Sequence, residues 1–227
     1  MIGPPPAPPP RQPLSRAEIH LIRTLRTPAA VQRWLNALPY NAEKDGESQR
    51  SFRGVVRTQS AHCMEAALFA AVVLEQHGYP PIVMSLESQD NLDHVIFVYK
   101  ANGWGSVARS RDPGLHGRRP VFASLRSLAY SYLDEYVDDT GRLRGYGVAN
   151  LVDAMGRYDW RWTDGNVWKV EQMLIDWPHV KLPSSDARYR ALKRKYQHFR
   201  KANDGRKPLF YAGREKWSPL PREYRMD

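Results

Sequence analysis

A chain of 227 residues with 42% hydrophobic and 11% aromatic side chains is long enough for one sizeable core and too apolar to be disordered. Its single cysteine excludes an internal disulfide. No run nears the roughly 18 apolar residues of a membrane span, and the N-terminus lacks the charged-then-apolar order of a signal peptide, so a cytoplasmic place is expected. The 34 Lys and Arg residues against 24 Asp and Glu leave +10 at pH 7, a balance that attracts polyanionic or acidic partners over long range.

Residues 4–13 hold seven of the 18 prolines, so residues 1–13 are expected to form an extended leader with no chemistry of its own. Ser15-Arg-Ala-Glu18 matches a capping box and opens a short amphipathic helix bearing Ile19, Ile22 and Leu25. Thr27-Pro28 starts a second helix, whose Val31, Trp34, Leu35 and Leu38 recur at helical spacing and face a core. From Asn41 to Arg57 the chain is polar, with Gly46 and Gly54, and reads as a loop.

The stretch from Arg57 to Pro80 predicts a buried helix: Ser60 is a suitable N-cap, Ala66 to Leu74 is apolar on every face, and Gly78 with Pro80 supplies the stop. Strands follow over Pro81–Leu86, Asp93–Lys100 and Trp104–Ser110, the last two joined by a hairpin turn at Asn102-Gly103 and closed by Arg111-Asp-Pro-Gly114. Ser124 caps a packing helix whose face runs Leu125, Leu128, Ala129, Tyr132, Leu133 and Tyr136. Between Gly145 and Trp177 lie Trp160, Trp162, Trp168 and Trp177, expected as core or sheet cover. From Ser184 onward there are thirteen Lys and Arg against five Asp and Glu, around a stripe of Tyr189, Leu192, Tyr196 and Phe199. That composition suits either a docked, solvated helix or a polyanion contact. The expected architecture is α+β: N-terminal helices and a buried helix packed on a small antiparallel sheet over 14–180, with a basic helical C-terminal extension over 181–227.

Chemistry centres on Cys63. It falls in the first turn of the buried helix, where unpaired N–H groups and the helix dipole favour a thiolate over a thiol. Glu65, two residues on, opposes that charge unless it points elsewhere. A thiolate nucleophile needs a base, and that base needs a group to hold its ring. Among seven histidines His94 is best placed, opening a strand after a polar loop, whereas His62 is the neighbour of Cys63 in sequence and is not expected to face it. His116, in a loop past the third strand, is a reserve.

Hairpin register decides the third group. A two-residue loop sets Arg111 opposite His94, while a three-residue loop with Gly103 as a bulge sets Ser110 opposite His94 with Asp112 just beyond on the same face. Gln59 is a candidate oxyanion donor alongside the Cys63 backbone N–H. A metal site from His62, His94, His116, Glu65, Asp93 or Asp112 has no spacing motif behind it. No Gly-rich phosphate loop follows a strand, so no cofactor is expected.

His62-Cys-Met-Glu-Ala-Ala67, the Gly78-Tyr-Pro80 stop, Asp93-His94-Val95 and the Trp104 strand together resemble the transglutaminase-like branch of the papain-like cysteine-enzyme superfamily, over about residues 55–115. The resemblance implies a papain-like core, Cys63 as nucleophile and His94 as base. It also implies cysteine-dependent acyl transfer of peptidase, amidase or transglutaminase type on protein, peptide or amide substrates. It departs at the third position. The family usually carries an aspartate about four residues after the strand tryptophan, often followed by proline, where this chain has Ala108, and Asp112-Pro113 comes later. The alternative is a catalytically silent module whose basic extension contacts nucleic acid or another polyanion.

Overall fold

The computed structural model describes residues 13–208 and 213–224, so the proline-rich leader expected over 1–13 lies outside the described residues apart from Pro13. The chain is α+β, with helices packed on both faces of a six-stranded antiparallel sheet. Helix α1 (Arg16–Thr24) opens with the expected reciprocal capping box of Ser15 and Glu18. Helix α2 (Pro28–Ala37) opens with Thr27 as cap and buries Val31 and Leu35.

Between them and the central helix lies α3 (Phe52–Thr58), a helix in the stretch expected to be a loop. Ser51 caps it, and Phe52, Val55 and Val56 bury its short apolar face, which two glycines and polar neighbours mask in the sequence. The central helix α4 (Cys63–Glu75) is buried along its whole length from Met64, as its unbroken apolar composition requires. Its cap is His62 rather than Ser60. Phe69 on α4 stacks between Trp34 and Phe52 at centroid distances of 4.3 and 5.3 Å. At the far end the buried Glu75 takes two 2.7 Å hydrogen bonds from Arg161, whose guanidinium lies 4.1 Å over the Trp160 ring.

The sheet comprises β1 (Ile82–Ser88), β2 (His94–Lys100), β3 (Trp104–Val107), β4 (Arg118–Phe122), β5 (Leu143–Asn150) and β6 (Val180–Lys181), in spatial order β4-β3-β2-β1-β5-β6. Side chains alternate as pleating requires: Val83, Val95, Phe97, Val107 and Ala149 pack on the α4 side, while Met84, Leu86, Ile96 and Val98 face Leu128, Ala129, Tyr132 and Tyr136. Strands β4, β5 and β6 were not legible as strands. The helix expected over 125–136 forms only as α5 (Leu125–Tyr130) and continues as turns to Tyr136. Of the four tryptophans, Trp160 and Trp162 are core, Trp177 donates Nε1–H to the Val148 carbonyl and Trp168 is exposed.

Strand β3 stops three residues short of Ser110 for a specific reason. The side-chain amide of Gln32 on α2 accepts from the Ala108 N–H at 2.9 Å and donates to the Ala108 carbonyl at 2.8 Å, so those backbone groups are no longer available to a ladder. The chain peels away there and turns through 110–117. Two further helices, α6 (Leu151–Met155) and α7 (Trp168–Asp176), follow β5. The basic helix α8 (Asp186–Ala202) docks through its stripe, with Tyr196 buried. Arginine–aspartate pairs Arg188–Asp134, Arg142–Asp186 and Arg200–Asp139 fix it to the body. Past it, Trp217 bridges to Arg118 and lies over that guanidinium at 4.3 Å, opposite Tyr132 at 4.0 Å. Among the described residues no helix is long and apolar enough to cross a membrane.

Candidate active site

Cys63 is the first residue of α4 and opens onto a cleft of about 340 Å³ walled by the 40–49 and 90–95 segments, residues 110–115, the 135–141 turns, α7, Tyr196 and Lys207. Its position follows from the cap before it. His62 has extended backbone angles (φ −89°, ψ −173°), so its side chain folds over the helix start, accepting from the Met64 N–H through Nδ1 at 3.2 Å and donating Nε2–H to the Ser48 carbonyl at 2.8 Å. Glu65 does point elsewhere. It is fully buried and accepts from His62 N–H at 3.0 Å, Asn41 Nδ2 at 3.1 Å, Ser48 Oγ at 2.9 Å and Arg50 N–H at 3.1 Å, so four donors consume the charge that would have faced the thiol.

The imidazoles of His62 and His94 both lie close enough to the Cys63 sulfur to act on its charge. Burial would raise the thiol pKa, but the neighbouring imidazoles of His62 and His94 outweigh it and hold the thiol well below its ordinary value. The expectation that His62 would not face Cys63 fails because the rule against neighbouring residues facing each other applies within a helix, and His62 stands just outside it. Burial would lower the His62 pKa, yet the neighbouring Cys63, the charge of Glu65 and the Ser48 carbonyl push it up to about 9.

The two imidazoles are not equivalent. His94, buried at the start of β2, donates Nε2–H to the Leu115 carbonyl at 2.8 Å, which fixes the tautomer and leaves Nδ1 for the sulfur. Nδ1 of His62 is already an acceptor for the helix, so taking a proton there gives up the Met64 cap. His94, whose Nδ1 has no other partner among the described residues, is the better-placed proton acceptor, while its raised pKa makes His62 a cation beside the sulfur once it gives up the Met64 cap.

The group that holds His94 is therefore neither Asp112 nor Ser110. The hairpin does adopt the three-residue loop, with Lys100 paired to Trp104 and Phe97 to Val107, but the departure of the chain at Ala108 removes the partner strand before it reaches His94. Ser110 Oγ instead accepts from the Asp112 N–H at 3.0 Å. The Asp112 carboxylate pairs with Lys207 and, at 3.7 Å, with Arg111. Both residues still line the cleft.

Gln59 is also displaced from its expected role. It ends α3 in the left-handed region at φ 52° and donates its side-chain amide back to the Val56 carbonyl at 2.6 Å, away from the cleft lining. The Cys63 N–H, the other expected donor, makes no backbone or side-chain hydrogen bond among the described residues. Tyr40, which sequence reasoning passed over, lines the cleft with its phenol held protonated, chiefly by burial and by the nearby Cys63 charge. The reserve candidate His116 is sealed in the interior, and burial with the charges of Arg109, His94 and Arg118 keeps it neutral. No group of three His, Cys, Asp or Glu among the described residues is arranged to hold a metal ion.

Deeper in the cleft the Glu135 carboxyl is pushed up to about 9, chiefly by burial. A folded-state pKa above the unfolded value of roughly 4.3 means the native chain keeps a proton the unfolded chain gives up. That contribution is full below about pH 4.3 and is lost as pH rises towards 9. Glu135→Gln removes the slope, so its melting temperature should gain on the parent's progressively between pH 5 and 9. A gap that stays constant with pH contradicts this.

Compared with known proteins, the chain matches no family model, and no curated protein matches it.

Proposed function

We propose that the cleft carries out thiol-dependent acyl transfer, with Cys63 as nucleophile, His94 as base and the Leu115 carbonyl as the group that positions the imidazole. The observation that carries this reading is the convergence of a helix-start sulfur with lowered pKa and an imidazole whose outer nitrogen is fixed by a carbonyl. The transglutaminase-like resemblance points the same way and belongs to the same proposal.

The thiolate attacks an amide or ester carbonyl carbon, forming a C–S bond while the carbonyl electrons move onto oxygen. The Cys63 N–H and the Tyr40 hydroxyl stand as donors to that oxyanion, in place of Gln59. Collapse breaks the bond to the leaving group, which takes the proton from the His94 imidazolium. Water or an amine then attacks the thioester, His94 accepts its proton, and the thiolate is released. Hydrolysis and transamidation share every residue of this scheme, so both peptidase-like and cross-linking outcomes fit the site.

The test is the rate of Cys63 alkylation by iodoacetamide as a function of pH, read at the single cysteine by mass spectrometry. A midpoint well below the free-thiol value of about 8.5 is expected, with reactivity lost as pH falls through it. A midpoint near 8.5 removes the nucleophile and leaves the silent module, with its polyanion contact on α8, as the better account.

A further inference from the structure

Ion pairing in this chain is uneven. On the outside of α8, Asp134, Asp139 and Asp186 each hold an arginine. Inside the cleft, Asp90, Asp93 and Asp138 on one wall and Glu171 on the other line the space without a Lys or Arg partner among the described residues, and Glu43 has only His62 at 4.0 Å. A protein with ten more basic than acidic residues thus still leaves these five carboxylates at the candidate site without a Lys or Arg partner among the described residues. Of the cationic side chains in the lining, Arg111 and Lys207 pair with Asp112, and His62 lies 3.6 Å from Glu65 and 4.0 Å from Glu43.

These carboxylates are bonded to neutral donors, which orient them and leave their charge standing. Asp90 accepts from Ser88 Oγ, Leu92 N–H and Thr140 Oγ1, Asp93 from Ser88 N–H, and Asp138 from Thr140 and Gly141 N–H. Burial, helped by neighbouring carboxylates, raises the pKa of Asp93 and of Glu171 against their hydrogen bonds and the charges of His179 and His62. A second kind of group points the same way. Gln49, only 8% exposed, lines the cleft beside Glu171 and gives Nε2–H to its Oε1 at 2.6 Å, while its own Oε1 has no hydrogen-bond partner among the described residues. A buried amide oxygen accepts only from N–H or O–H, and an ammonium or guanidinium brings several such donors.

We infer that the substrate is cationic: a peptide whose reacting amide is flanked by lysine or arginine side chains, held between the Asp90, Asp93 and Asp138 wall and the Glu43 and Glu171 wall, with Gln49 taking one of its N–H groups. This rests on the acyl-transfer reading, since it names what that site receives. Carboxylates on both walls of a cleft act in concert on a cation and repel an anion.

The full chain is tested with three thiol reagents at one pH near neutrality. Iodoacetamide is neutral and reports the thiolate alone. The trimethylammonium-ethyl and sulfonatoethyl methanethiosulfonates both form a mixed disulfide with Cys63 and release methanesulfinate, but carry opposite charges. Their rate ratio, divided by the same ratio on 2-mercaptoethanol, should favour the cation by about tenfold or more and fall as salt is added. In Asp93→Asn/Asp138→Asn and in Glu43→Gln/Glu171→Gln, each normalised to its own iodoacetamide rate, the preference should shrink several-fold. In a fourth arm, decalysine should slow iodoacetamide modification of the parent chain, and decaglutamate should not. Rapid iodoacetamide reaction with a normalised ratio near one, or a high ratio with no protection by decalysine, overturns the cationic substrate and leaves the nucleophile intact. An iodoacetamide midpoint near pH 8.5 overturns the acyl-transfer reading and this inference with it.

Discussion

Replacing His94 by alanine should move the pH midpoint of Cys63 alkylation up towards 8.5 and lower reactivity at pH 6.5 by about 100-fold, because at that pH an unassisted thiol is only about 1% ionised. Any acyl-transfer turnover should fall further, by about 10²–10⁴-fold, since the same imidazole returns the proton to the leaving group. His62→Ala provides the contrast. It removes a helix cap and one of the two imidazoles beside the sulfur, so it should cost stability and also raise the midpoint, but leave the His94 base that turnover needs. If His62→Ala abolishes reactivity and His94→Ala spares it, the two roles are reversed. Asp112→Asn and Ser110→Ala should leave the midpoint close to the parent's, because the Leu115 carbonyl, which no substitution of those residues removes, holds the His94 ring.

Glu65→Ala should be the most damaging single change to the fold around the site. The carboxylate is fully buried and satisfies the N–H groups of His62 and Arg50 and the side chains of Asn41 and Ser48. Its removal strands four donors and withdraws the nearest carboxylate from His62, at 3.6 Å. Leaving buried polar partners uncompensated costs about 3–5 kcal/mol, which for a chain of this size is a drop of roughly 6–20 °C in melting temperature. Glu65→Gln keeps one acceptor oxygen and should lose less. An alanine variant within about 1 kcal/mol of the parent by denaturant unfolding would mean that the 41–50 segment is held chiefly by other contacts.

How far the sequence carried depends on what kind of atom each role uses. Cys63 and His94 were legible because helix starts and hairpins leave side-chain signatures: an apolar run with a glycine stop, and a β-rich run ending in Asn-Gly. The Leu115 carbonyl was not, because every residue has a backbone acceptor and only the path of the chain decides which one is used. That path is set by Gln32, 76 positions earlier than Ala108, a long-range contact with no local trace. His62 was misjudged because a helix rule was applied to a residue one place outside the helix. Strand β5 was hidden by Gly145 and Gly147, which read as breaks. A Cβ on Gly147 would lie 3.2 Å from the Pro178 carbonyl and from the rings of Trp177 and His179, so glycine marks a close approach of neighbouring chain rather than an end of structure. Helix α3 carries only three buried apolar side chains, too few to register as a period.

Two of the cleft's walls, at Tyr196 and Lys207, come from segments far downstream of Cys63. On the ribosome, where residues are added at about 5–20 per second, the sulfur is therefore made roughly 7–30 seconds before these parts of the cleft lining. The nascent chain carries an uncovered nucleophile for that time. Any guard against premature alkylation or oxidation must come from the early-made neighbours, His62, Glu65 and the 41–50 segment, rather than from the finished enclosure.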